Sequence, residues 1–150
     1  MIPIAKISRA SKGHLISEIL KEAGLINEAQ IEIALHDQAF YREIQYKIGE
    51  ILVLHGWISQ ETAHFFARYL RRELTINKNK HLGDYLLEAG LLNGEQLFDM
   101  VRENRSICLN DKLFAQKLLA KGLVKEKTLD FFLKKIIDQK NTTTGIQWIG

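Results

Sequence analysis

The stretch Leu20-Lys21-Glu22-Ala23-Gly24-Leu25-Ile26 sets a pattern that returns three more times in this chain of 150 residues. In each copy a leucine stands four residues before a glycine, and apolar residues follow the glycine; the other copies are Leu52–Ile58, Leu86–Leu92 and Leu118–Val124. A glycine behind an apolar helical stripe is typical of a helix that ends in a left-handed residue, a conformation that costs other residues free energy. The pattern therefore predicts four helical hairpins, with each of these leucines in the core.

The spacing of the copies indicates a duplication. Gly90 follows Gly24 by 66 residues, and Gly122 follows Gly56 by the same distance. The phrase Thr62-x-x-Phe65-Phe66 also returns 66 residues later, as Thr128-x-x-Phe131-Phe132. Because one hairpin cannot bury its apolar face alone, stacked hairpins must share a core. We expect an all-α fold of four tandem helical hairpins that form two pseudo-equivalent halves.

Local signals place the helix starts and the boundaries of the halves. Asn27 with Gln30, and Asn93 with Gln96, have the spacing of a capping box, and Ser59 is placed to cap a third helix. The single proline is Pro3, so helices can run unbroken from residue 14 onward. We expect an N-terminal arm over 1–13, a first half over 14–73, a linker over 74–80, a second half over 81–138 and a flexible tail over 139–150.

The composition argues against several classes of function. One cysteine, Cys108, excludes an internal disulfide framework and a four-cysteine zinc site. No phosphate-binding loop, paired histidine ligands or nucleophile with a neighbouring base is visible, so we expect no catalytic residue, no metal, no cofactor and no enzymatic activity. The net charge of +3 does not favour a nucleic-acid partner. No signal peptide or membrane-spanning run is visible, so we expect a cytoplasmic protein without membrane insertion.

Three features are candidate partner contacts. Basic residues gather near the linker, where Arg71 and Arg72 either belong to a solvated connector or bind an anionic partner. The repeated Phe65 and Phe131 either fill the seam between the halves or line a groove for a partner helix. Trp148, in a tail without helical period, either docks on its own domain or recognises a partner.

Two stretches resemble a known motif: Lys47-Ile48-Gly49-x-x-Leu52-x-x-x-Gly56-x-Ile58 and His81-Leu82-Gly83-x-x-Leu86-x-x-x-Gly90-x-Leu92. They are similar to the repeats of the MshE N-terminal (MshEN) or GspE N-terminal domain, the front module of type II secretion and type IV pilus assembly ATPases. The resemblance covers about residues 14–136, and Leu52–Phe66 is similar to small stand-alone cyanobacterial proteins of this type. It implies an all-α regulatory or adaptor module without the ATPase, which acts on a larger protein linked to pilus or secretion machinery.

Some members of that family bind cyclic di-GMP between two adjacent motifs, so the resemblance also implies candidate nucleotide-binding residues. The matching positions are Gln38, Lys47, Ile48, Gly49, Leu52, Gly56, His81, Leu82, Gly83, Leu86 and Gly90. The motif's opening arginine is replaced in every copy, by Leu15, Lys47, His81 and Leu113, and its closing glutamine remains only as Gln38. The leading expectation is therefore a non-catalytic protein-interaction or adaptor module; the alternative is a cyclic di-GMP receptor with a degenerate motif.

Overall fold

The computed structural model describes residues 16–40, 46–76, 79–103, 105 and 110–138. All regular secondary structure in these ranges is helical, which confirms the all-α prediction. The helices are α1 (residues 16–22), α2 (Glu28–Phe40), α3 (Ile48–Leu54), α4 (Gln60–Leu70), α5 (Leu82–Glu88), α6 (Gly94–Glu103), α7 (Asp111–Ala120) and α8 (Glu126–Phe132). The predicted arm over 1–13, the tail over 139–150 and Cys108 lie outside the described residues.

The glycine of each repeat ends a helix in the predicted left-handed conformation. Gly24, Gly56, Gly90 and Gly122 have φ between 69° and 77°. In each turn the glycine N–H donates to the carbonyl three residues back, and the following N–H donates to the carbonyl five residues back, as in Gly56 N–Val53 O (2.9 Å) and Trp57 N–Leu52 O (3.1 Å). This is the Schellman ending, which satisfies carbonyls that the helix leaves unpaired.

The predicted caps are also present. The amide N–H groups of Asn27 and Gln30 each donate to the other residue's side chain, at 2.8 and 2.9 Å, and Asn93 and Gln96 form the same pair. The Ser59 hydroxyl accepts from the Thr62 N–H at 3.1 Å. Each cap satisfies amide groups at the start of a helix, so the second helix of the first three hairpins has a defined start.

The chain divides between Glu73 and Leu74 into two compact units. In the first unit α3 packs against α2 and α4; in the second α5 packs against α6 and α7. The four leucines that precede the turn glycines are 0% exposed, so the prediction that they are core residues is confirmed. The 66-residue duplication stays a prediction.

The end of the second unit widens into a π-helical stretch, Leu133–Ile137, directly after α8. Its adjacent side chains Ile136 and Ile137 are both buried, and α7 packs against this stretch. The wider turn therefore lets two neighbouring isoleucines face the core of the second unit.

Candidate functional site

In the second unit, the predicted nucleotide-binding residues lie mostly in the core. Leu82 and Leu86 are fully buried, so in this structure they present no surface to the bases of a ligand, and their nucleotide contact stays a prediction. Gly83 is buried as well, and a Cβ placed on it would lie 2.7 Å from Leu97 Cδ1 and 3.3 Å from the Phe114 ring. This glycine thus allows α5 to approach α6 and α7 closely; it does not provide an open surface for a nucleotide.

Carboxylates of the protein itself occupy the start of α5. Asp84 accepts a hydrogen bond from the His81 N–H at 2.9 Å, and Asp111 accepts one from the Leu82 N–H at 2.8 Å. The half-buried His81 has its Nδ1 3.7 Å from Asp111 Oδ1. A phosphate would have to displace or lie beside these carboxylates, and like charges repel. The His81 motif therefore does not suit an anionic ligand.

In the first unit the corresponding motif is partly exposed. Lys47 precedes α3 and is exposed, and its N–H donates to Glu50 Oε1 at 3.0 Å. Ile48 and Leu52 are buried core residues, so they too present no surface to a base. A Cβ on Gly49 would meet Ala63 Cβ at 3.7 Å and Ile16 Cδ1 at 3.9 Å, which is ordinary packing distance. The glycine here also faces the protein, while Gly56 and Gly90 serve the helix-ending turns.

One predicted pair is brought together. The Gln38 side-chain amide donates to the Tyr46 carbonyl at 3.2 Å, and Tyr46 directly precedes Lys47. The closing glutamine of the first motif therefore lies beside the opening lysine of the second. Of the predicted nucleotide-binding residues, Gln38 and the exposed Lys47 are therefore the two whose chain positions lie close together at the surface.

Next to Gln38 lies a cluster that the sequence analysis missed. Asp37 on α2 and His55 after α3 are 2.7 Å apart, Oδ2 to Nε2. The His55 ring stacks on Trp57, with centroids 4.2 Å apart and planes 8° from parallel. The Gly56 turn creates this stack, since it reverses the chain between the two rings. The cluster ties the end of α3 to the side of α2.

Exposed apolar side chains stand close in sequence to the residues of that cluster. Phe40 is 72% exposed, Leu54 is 67% exposed and Ile33 is 46% exposed. Ile33 and Phe40 lie on the same side of α2 as Asp37, four residues before it and three after it, and Leu54 directly precedes His55. We call this surface the α2–α3 face and define it as Ile33, Asp37, Phe40, Leu54, His55 and Trp57. Adjacent exposed apolar side chains on a protein surface are typical of a binding site.

The exposed side of α7 has a different chemistry. It carries Lys112, Leu113, Gln116, Lys117 and Leu119, all exposed, and no acidic residue, since the one acid of this helix, Asp111, is turned toward α5. Leu113 and Leu119 lie among the lysines. Beyond the helix, Lys121 donates a hydrogen bond to Glu103 and holds the pKa of that carboxyl below its usual value. The charge of Lys121 is thus compensated within the unit.

The predicted partner-binding residues have different outcomes. Phe65 and Phe131 are buried, at 1% and 4% exposure, and each ring packs edge-on against the phenylalanine that follows it. Their burial agrees with the alternative in which they fill a core, and the groove stays a prediction. Arg71 donates to Glu73, and Arg72 ends α4 with a φ of 58°, both at the surface. Trp148 lies outside the described residues.

The basic residues near the predicted linker do not act as one group. Lys80 bonds Glu88 at 2.7 Å and lies 4.7 Å from the centre of the Tyr85 ring, so its charge is used within its own unit. Arg71 is engaged with a neighbouring acid in the first unit. Lys78 lies outside the described residues. Within the described ranges no three His, Cys, Asp or Glu side chains meet as they would around a metal ion, and no helix there could cross a membrane.

The α2–α3 face left a weak signal in the sequence. The buried stripe of α2 contains Ile31 and Ala34, and Ile33 and Phe40 fall outside that helical phase. An apolar residue out of phase with the core indicates exposure, whereas the pairing of Asp37 with His55 depends on how α2 crosses α3.

Comparison with known proteins gives one informative relative. The chain is 49% identical over 135 residues to an uncharacterized protein of Picosynechococcus sp.; the match covers 90% of this chain and 71% of that protein. No model of a protein family matches the chain. No solved structure matches it either.

Proposed function

Because this chain belongs to the same family as the Picosynechococcus protein, we propose for it a function that its own surface supports: that of a non-catalytic protein-interaction module. The observation that carries the proposal is the α2–α3 face, where Phe40 and Leu54 are among the most exposed apolar side chains of the described residues. Burying them in an interface would release ordered water at little conformational cost to the helices.

The polar members of the face support the same proposal. The Asp37–His55 pair and the stacked Trp57 are held by contacts within the unit, so they are presented in one arrangement. A preorganised aromatic residue beside exposed aliphatic ones is typical of the residues that dominate binding free energy at interfaces. The partner would contact a rigid surface, and the resemblance to pilus and secretion modules makes such machinery the first place to search for it.

The nucleotide alternative has less support. Four of its predicted aliphatic contacts, Ile48, Leu52, Leu82 and Leu86, are core residues. The α5 motif presents carboxylates where phosphate would bind. Only Lys47 and Gln38 remain for a ligand, and a lysine lacks the forked donors with which arginine binds phosphate.

The test is co-purification of partners with variants of the exposed face. Tagged protein would be purified from extract of the cells that produce it, as the wild type and as the Phe40→Asp/Leu54→Asp double variant. We expect a specific co-purifying protein to be lost at least about 30-fold in the double variant, since truncating or charging a central interface residue costs about 2 kcal/mol or more.

Phe98→Asp is the matched control. Phe98 lies on α6 and is 64% exposed, so its replacement makes elsewhere the same change that Phe40→Asp makes on the α2–α3 face, and it is compared with that single variant as well. If both variants lose the same protein, the α2–α3 face is not its binding site. Saturable heat on titration with cyclic di-GMP, lost in Lys47→Ala, would contradict the proposal in favour of the nucleotide alternative.

A further inference from the structure

The exposed faces of α2 and α7 are complementary in charge. The exposed side of α2 carries Glu28 and Glu32 beside Ile33 and Phe40, and α2 contains no lysine or arginine. The exposed side of α7 carries Lys112 and Lys117 beside Leu113 and Leu119, with no acid. Each helix thus presents apolar side chains bordered by charges of one sign, and the sign is opposite in the two.

The charges available for an intermolecular contact can be identified. Glu32 is exposed, whereas Glu28 accepts from Lys21 at 2.6 Å, so its charge is partly compensated within the unit although 58% of its side chain is exposed. Beyond α7, Lys121 is paired with Glu103; Lys117, which with Lys112 borders the exposed leucines, also helps to lower the pKa of Glu103, and Lys112 and Lys117 are both exposed. The charge of the whole sequence follows the same division: residues 1–73 carry nine basic and nine acidic side chains, and residues 74–150 carry twelve and nine.

The two helices also match in length and period. α2 has 13 residues and α7 has ten, so about 15 Å of each could lie side by side at 1.5 Å per residue. Ile33 and Phe40 are seven residues apart on α2, which is about two helical turns. Lys112 and Leu119 have the same separation on α7. The exposed side chains of the two helices therefore repeat at the same distance along the helix axis, so the two rows can pack against each other.

We infer that a partner of the α2–α3 face is a second copy of this chain, which docks the exposed side of its α7 on the exposed side of α2. This inference rests on the proposed function, since it names an occupant of the same face. Opposite charges around an apolar centre select the orientation and disfavour α2 against α2 or α7 against α7. Because the two surfaces differ, a dimer joined by one such contact keeps one unused α2 face and one unused α7 face, and association continues beyond a dimer unless a ring closes.

One helix on one helix is a small interface, so the contact should be weak. Interfaces below the standard size usually belong to transient complexes. We expect a dissociation constant of about 10–100 μM for each contact. Sedimentation equilibrium of the purified full chain, between about 5 μM and 1 mM, should give a weight-average mass that rises steadily from the 17.3 kDa of the monomer and passes twice that value.

Charge reversal tests which surfaces meet. Glu28→Lys/Glu32→Lys and Lys112→Glu/Lys117→Glu should each weaken association at least about tenfold at low salt. A mixture of the two variants should restore it, because the unchanged lysines of the first variant meet the unchanged glutamates of the second, and the new lysines of the first meet the new glutamates of the second. The control variant is Lys127→Glu/Lys134→Glu, which replaces one exposed lysine on α8 and one on the π-helical stretch that follows it. It changes the net charge as much as the α7 variant and should leave association intact.

Several results would overturn the inference. A mass that stays at the monomer value over the whole range would do so, as would a dimer that stops at two copies and responds to neither reversal. These outcomes are distinct from failure of the proposed function. If a different protein co-purifies and is lost in Phe40→Asp/Leu54→Asp while the chain stays monomeric, the interaction module stands and the second copy is excluded as the occupant.

Discussion

At the scale of single residues, one position of the repeated motif has opposite surroundings in its two copies. Gly83 lies against the Leu97 and Phe114 side chains, which would have to shift to admit a methyl group. Gly49, at the same motif position, leaves ordinary van der Waals distances to Ala63 and Ile16. The same residue at equivalent positions of the repeat therefore has different surroundings. Close packing favours glycine at position 83 in α5, whereas the space around position 49 in α3 also accommodates alanine.

Alanine at these two positions should change stability in opposite directions. Gly83→Ala should lower the free energy of unfolding by about 1–2 kcal/mol, because the added methyl overpacks the α5 contact by more than the gain in helix propensity. Gly49→Ala should raise it by about 0.5–1 kcal/mol, since alanine restricts the unfolded chain and fits the site. Urea unfolding of both variants beside the wild type measures the difference.

The Gly49→Ala variant is the control for Gly83→Ala, since each change adds one methyl group at the second residue of a seven-residue helix. Equal stability of the two variants would mean that α5 can move away from Leu97 and Phe114 at no cost, contrary to the close packing seen here.

At the scale of helices, Asp111 connects two elements that are distant in sequence. It begins α7, and its carboxylate accepts from the Leu82 N–H at the start of α5. Its side chain is 13% exposed, so water competes little for this bond. One carboxylate thus satisfies an amide that α5 cannot pair within itself, and it fixes the start of one helix beside the start of another.

Removing this acceptor should destabilise the second unit. We expect Asp111→Ala to cost about 1–3 kcal/mol, because the half-buried Leu82 N–H loses its partner and α7 loses an acid near its N-terminus. Asp111→Asn keeps an oxygen acceptor and should recover more than half of the loss. Thermal and urea unfolding of both variants would measure this; an asparagine variant as unstable as the alanine variant would instead assign the effect to the negative charge.

Helix ends were predictable from the sequence, and the candidate site was not. The turns at Gly24 and Gly90 and the caps at Asn27 and Asn93 depend on residues within five positions of one another, so local spacing is sufficient. The helical phase of α2 gives only a weak signal for the exposure of Phe40, and the pairing of Asp37 with His55 depends on how α2 crosses α3, which no local spacing encodes. For the same reason the sequence left open whether Phe65 fills a core or lines a partner groove, and the structure buries it.

At the scale of the whole chain, the two units are chemically different despite their similar turns. Their acidic and basic side chains balance in residues 1–73, whereas residues 74–150 have an excess of three basic ones. The described part of the first unit contains the most exposed apolar residues, and that of the second contains a helix whose exposed side has lysines and no acid. Helix pairs with similar turns therefore carry exposed surfaces that differ in charge and in apolar content.

The turns described above also affect how fast the chain folds. Each Schellman turn closes within six residues, and the helices found packed together are neighbours or next neighbours along the chain. Contacts over short sequence distances cost little loop entropy, so proteins rich in them fold in microseconds to milliseconds. The single proline, Pro3, lies outside all the helices described, so slow isomerisation should limit little of the refolding. Stopped-flow refolding monitored by tryptophan fluorescence should be complete within about 100 ms, and a dominant phase lasting seconds would mean that contacts between distant segments decide the rate.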